Sequence, residues 1–215
     1  MRVWLPDRPG ALGQVASRIG AVRGDVVGIE IIERGGGRAI DELVVRVPDP
    51  ELLDLLVTEV KAVDGAAVED VRAAPGAPRD PRLDALEAAA DLMAAGSVTE
   101  LLDALVARAV EELGAAWVAL VDGAARSVVS SAGSVPALPW LLAFLEGSRS
   151  SAAVAAGETG PDELACAELG AADAWLVVGR PGRSIRNRER RLLGALARLG
   201  DARWAELVRR VPAAS

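Results

Sequence analysis

The sequence predicts an α+β protein built as two domains. Three observations carry that prediction. Strand-like and helix-like stretches alternate as β-α-β-β-α-β over residues 1–72. A Pro/Gly-rich stretch follows at 73–81. The rest then runs helices, hairpin, helix, strands and helix, the order of an antiparallel sheet with flanking helices. A chain of 215 residues accommodates two domains of about 100 residues each.

Residues 2–5 are a short apolar strand. The stretch Leu5 to Gly13, L-P-D-R-P-G-A-L-G, turns that strand into a helix, with Asp7 as candidate N-cap and Pro9 in the first turn. From Ala11 to Val22, Leu12, Val15, Ala16, Ile19 and Val22 fall on one helical face, and Gly24 is expected as the residue closing the helix. Asp25 to Arg34 is β-branched and partly alternating. Gly35 to Gly37 mark a turn, and Ala39 to Val47 return as the hairpin partner. Asp49-Pro50-Glu51 opens a second helix with Leu52, Leu53, Leu56, Val57, Val60 and Val63 as its buried face. Ala66 to Arg72 closes the set, which makes the first domain ferredoxin-like: one antiparallel sheet with both helices on one face.

Beyond the 73–81 linker, helices are expected over 82–95 and 98–113. Ser97-Val98-Thr99-Glu100 forms a capping box that fixes the start of the latter. Ala115 to Val121 reads as a buried strand, Asp122-Gly123 as a turn and Arg126 to Ala132 as its partner. Pro136 to Gly147 suggests a cross-over helix. Ser151 to Gly157 is weakly patterned. Glu163 to Leu169 and Ala172 to Gly179 are further strands, and a long helix with an apolar stripe runs from Arg188 to Val211.

Composition narrows the chemistry. The chain has no histidine and one cysteine, Cys166. That removes Ser-His and Cys-His nucleophile activation, His-ligated metal sites, thiolate clusters and internal disulfides. A non-catalytic protein without cofactor or metal is expected. The net charge of −7 gives no general attraction for nucleic acid or anionic membrane. With no membrane-length apolar run and no basic-then-apolar leader pattern, a soluble cytoplasmic protein is expected.

D-R-P-G-A-L at Asp7 to Leu12, the β-α-β-β-α-β order, and G-D-V-V-G-I-E-I at Gly24 to Ile31 together resemble the ACT domain, a small regulatory module that binds amino acids. The resemblance implies a ligand between the turn after the first strand and the strand after the first helix, in a pocket that often forms across a side-by-side homodimer. Carried over by position, the candidate ligand residues are Asp7, Arg8, Gly10, Ala11 and Leu12 on the turn, with Asp25 and Val26 on the second strand. Asp7 and Asp25 stand where the family commonly has Asn. Ionised carboxylates accept but cannot donate hydrogen bonds, so the pair suits an α-ammonium better than an α-carboxylate. ACT domains also occur as ligand-free dimerisation modules, and docking of a partner protein stays open beside amino-acid binding.

Residues 82–211 resemble a GAF domain, through the order of elements and the ending A-W-L-V-V-G-R-P-G-R before a long apolar-striped helix. This implies a small-molecule pocket for sensing or relay, with a ligand the sequence does not name. The domains expected are therefore 1–72 ACT-like, a 73–81 linker, and 82–215 GAF-like. Arg180, Arg183 and Arg186 lead a basic cluster in an acidic chain, able to hold an anion or acidic partner segment or to be a plain solvated turn. Cys166, in an apolar strand, is expected as a buried structural thiol, and Trp117 and Trp175 as core residues.

Overall fold

A computed structural model describes residues 1–73, 80–151 and 160–210 of the chain. The expected linker falls mostly on 74–79, the weakly patterned segment mostly on 152–157, and the last residue of the expected final helix on 211. These lie outside the described residues. The chain divides into two compact units, Met1–Asp80 and Pro81–Ser215.

The first unit holds β1 (Arg2–Pro6), α1 (Ala11–Ala21), β2 (Asp25–Gly35), β3 (Arg38–Arg46), a 3-10 turn (Pro50–Leu52), α2 (Leu53–Lys61) and β4 (Ala67–Asp70). All strand pairs are antiparallel and the sheet order is β2-β3-β1-β4, the ferredoxin-like topology. Period-two alternation sends Val3, Leu5 and Leu43 to the helix side, where Val15, Ile19, Leu56 and Val60 close the core. Burying such side chains is worth about 1.5–3 kcal/mol each before chain entropy, so this apolar layer holds the helices to the sheet.

Two termini differ from expectation. Asp7 does not cap α1; its amide donates to the Gly37 carbonyl at 2.9 Å, tying the turn to the β2–β3 hairpin. The N-cap is Gly10, with φ 85°, and it makes no side-chain cap bond. A left-handed residue at that position delays the helix past Pro9, and glycine adopts the conformation without a Cβ penalty. At the other end the left-handed residue is Arg23 (φ 61°), and the Gly24 amide donates back to the Ile19 carbonyl at 2.9 Å. Arg23 takes the position expected of Gly24.

The second unit holds α3 (Pro81–Ala94), α4 (Val98–Leu113), β5 (Trp117–Asp122), β6 (Ser127–Gly133), α5 (Leu138–Arg149), β7 (Leu164–Leu169), β8 (Ala174–Gly179) and α6 (Asn187–Arg210). Its sheet is antiparallel in the order β6-β5-β8-β7. Val118, Leu120, Leu176 and Val178 pack with α3, α4 and α6, while Trp117, Ala119, Val121, Trp175 and Val177 pack with α5. Both faces of β5 and β8 are therefore covered, which is why those strands read as continuous apolar runs rather than alternating ones. The capping box forms as expected on one arm: Ser97 Oγ accepts from the Glu100 amide at 3.2 Å. Its Glu arm reaches one residue further out, accepting from the Gly96 amide at 2.9 Å. None of the helices among the described residues is long and apolar enough to cross a membrane.

Candidate functional site

The candidate site grows from the turn after β1. Pro6 ends the strand, and the Arg8 amide closes back on the Pro6 carbonyl at 2.8 Å. Residues 7–10 are exposed, Ala11 is buried as the first residue of α1, and Leu12 is half-buried against the core. The Gln14 amide bonds the Gly10 carbonyl at 3.0 Å, so the regular ladder begins there. With no side chain capping α1, the amides of Leu12 and Gly13 face outward at the helix start. Exposed N–H groups at a helix N-terminus suit a carboxylate.

Asp41 of β3 lies close to this turn in the sheet. Ala39 pairs with Leu5 at the foot of the turn, and Asp41, two residues on, pairs with Val3 of β1 and Ile31 of β2. Sharing the parity of Val3 and Leu43, its side chain lies on the helix side of the sheet and keeps 5% of its exposure. Its Oδ1 is buried with no hydrogen-bond partner. Burial raises the carboxyl above the ordinary range; Arg34 opposes that and Asp7 adds to it. A buried acceptor left without a donor is costly, and a group so placed, within electrostatic reach of Asp7 on the turn, is a functional-site candidate.

The sequence reading did not single out Asp41. In A-I-D-E-L-V-V the Asp-Glu pair looks like the outward step of a strand, yet Ala39, Asp41 and Leu43 have one parity, and Ala39 and Leu43 point inward. That parity was the available signal.

Asp25 and Val26 stand elsewhere. Asp25 is exposed and pairs with Arg46, whereas Gly35 at the far end of β2 pairs with Arg38, as does Pro6 at the turn. At roughly 3.3 Å per residue, the start of β2 is about 26 Å along the sheet from the turn. Val26 is half-buried in the core and pairs with Val45. Within one chain, then, Asp41 lies within electrostatic reach of Asp7 on the turn, and Asp25 and Val26 do not join them.

Residues 1–65 match the family model of the ACT domain. The ACT match spans every element from β1 through α2 and includes the turn and Asp41, and with it comes the suggestion of regulatory small-molecule binding. No curated protein and no solved structure matches the chain.

In the second unit, Arg180 is buried. Its outer nitrogens meet Glu189 at 2.7 and 2.9 Å, and it also donates to the carbonyls of Leu113 (2.5 Å) and Ser184 (2.6 Å). The same Glu189 accepts from the Arg186 amide at 2.8 Å at the start of α6. Arg183 is buried, and Arg186 half-buried. Arg180 thus ties the strand end, the turn and α6 together through one planar fork. Cys166 is buried, and burial pushes its thiol up, against the smaller effects of Ser148 and Arg190. A raised thiol has little thiolate and little reactivity.

Proposed function

We propose that the ACT-matching region is a non-catalytic regulatory module that binds a free α-amino acid at the turn after β1. The observation that carries this is the unpartnered, buried Asp41 oxygen, which feels the charge of Asp7 on the turn leading into an uncapped helix start. The two halves of the site have opposite chemistry. The Leu12 and Gly13 amides donate to an α-carboxylate, while Asp41, with Asp7 nearby, receives an α-ammonium. Arg8, Gly10 and Ala11 shape the entrance, and the missing Cβ at Gly10 keeps it open.

An ammonium stabilises the ionised form of Asp41, so ligand affinity falls as pH drops through the range in which that carboxyl takes up its proton. Burial is the largest influence on it, and Arg34 and Asp7 are the charged groups that act on it in opposite senses.

The site is completed by a second copy. β2 is an edge strand, and Ile29 and Ile31 are 52% and 42% exposed on it. An exposed edge with apolar side chains favours strand pairing with another chain. Antiparallel pairing of two β2 strands about Glu30 sets Asp25 of the second copy beside Gly35, next to the hairpin to which the turn is bonded. The positions that are far apart in one chain meet in that homodimer. The same edge also supports a second reading, a ligand-free module that dimerises or docks a partner protein. For residues 82–211 we propose a GAF-like sensing or relay unit in the same soluble, cytoplasmic, regulatory protein.

A thermal-shift screen of the full chain against the twenty amino acids at millimolar levels tests the ligand. A responding amino acid at a hundred times its Kd stabilises the fold by about 2.7 kcal/mol, which the screen detects. No response from any of them leaves the ligand-free reading.

A further inference from the structure

The second unit carries a cleft of about 490 Å³ at one end of its sheet, where β5 and β8 meet α5 and residues 161–164. Two indoles form its apolar side. Trp117 lies so close on β8 that a Cβ at Gly179 would fall 2.0 Å from the ring, so the glycine there is what lets the indole seat. Trp140 meets Trp117 edge to face, with centroids 6.3 Å apart, and stacks on Phe144 at 5.8 Å. Trp140 is 44% exposed although it has aromatic neighbours to pack with. These contacts fix both rings before any ligand arrives.

The polar side of the cleft is acidic. Asp162 and Glu163 are exposed in its wall, and among the described residues neither has a salt-bridge partner. The Glu163 carboxylate accepts from the Gly182 amide at 2.7 Å, and its carbonyl from the Arg180 amide at 2.9 Å. The segment that carries them is held from behind by Arg190, which donates to the carbonyls of Leu164 (2.8 Å) and Pro161 (2.6 Å). The wall's own cation, Arg180, is paired with Glu189. Indole faces attract cations through their quadrupole, and the exposed Glu163 carboxylate, with Asp162 whose charge the buried Arg190 offsets only in part, adds to that attraction at the same rim.

We propose that this cleft binds a small organic cation, an alkylated or quaternary ammonium, held between Trp140 and the Asp162–Glu163 rim. The assignment deepens the reading of residues 82–211 as a sensing unit, on which it rests, by naming the class of ligand. Trp140 supplies the ring face, Trp117 the fixed back wall, and the carboxylates select charge over shape. A neutral molecule of the same outline gains the apolar contact but not the other two.

Calorimetric titration of the full chain with choline and with 3,3-dimethylbutan-1-ol, its uncharged carbon analogue, tests this directly. Choline is expected to bind saturably and the neutral alcohol at least roughly tenfold more weakly. Trp140→Ala and the exposed double variant Asp162→Asn/Glu163→Gln should each weaken choline by a similar factor, with circular dichroism unchanged. Equal binding of the neutral alcohol, or choline binding indifferent to both variants, overturns the proposal. So does binding of nucleotides from a parallel panel without choline, an outcome that leaves a sensing unit of another specificity. Binding of nothing in either panel removes the sensing reading as well.

Discussion

Two charged residues show how differently a buried ion can be treated. Asp41 is buried with an oxygen that nothing in the fold satisfies, whereas Arg180 is buried with partners on every side. Replacing Asp41 with Asn is therefore expected to stabilise the first unit at pH 7 by about 1 kcal/mol, the low end of the cost of an unsatisfied buried group. The folded-state value of Asp41 lies above the unfolded one, so its protonated form favours folding. That contribution is full below the ordinary carboxylate range and is lost as pH rises through the folded value. The advantage of Asp41→Asn should accordingly shrink on acidification, and urea melts at several pH values would show it. Arg180→Ala should act in the opposite sense. It takes the guanidinium from the buried Glu189 pair and the donor from the Leu113 and Ser184 carbonyls, and a loss of about 3–5 kcal/mol from the second unit is expected on denaturant unfolding.

At the scale of elements, most of the fold was legible because the elements obey local rules. The stripe of α4 and its Ser97–Glu100 cap define that helix from sequence alone, and the structure starts it at Val98. Asp49-Pro50 behaves likewise: the Asp49 carboxylate accepts from the Glu51 amide at 2.9 Å. What was not legible depends on a conformation or a distance outside the local pattern. Asp7, Pro9 and Gly10 each signal a helix start, and only the positive φ of Gly10 decides that α1 waits until Ala11. Asp41 was not singled out, because its shared parity with Ala39 and Leu43 marks an inward face only once the packing of helices on that face is known. Trp117 and Trp140 meet from different elements, and no spacing announces that contact. The element with the sharpest consequence is β2. Ile29→Lys puts a charge on an exposed position of that strand and should change monomer stability by no more than about 0.5 kcal/mol. It should nevertheless convert the proposed homodimer to monomer in sedimentation velocity, since an edge lysine opposes strand pairing.

At the scale of the whole molecule, both proposed sites are built for recognition. One joins amides to a carboxylate, the other joins indoles to carboxylates. Each is suited to a ligand bearing a positive nitrogen, in a chain whose net charge is −7. The central claim is that Asp41 receives the α-ammonium of an amino acid held at the turn after β1. Calorimetry of the responding amino acid against its N-acetyl derivative, on the wild type and on Asp41→Asn, measures this most directly. The account predicts saturable binding of the free amino acid to the wild type, loss of at least roughly tenfold in affinity on acetylation, and a similar loss in Asp41→Asn. Equal affinity of the acetylated ligand, or of the Asp41→Asn protein, would contradict it.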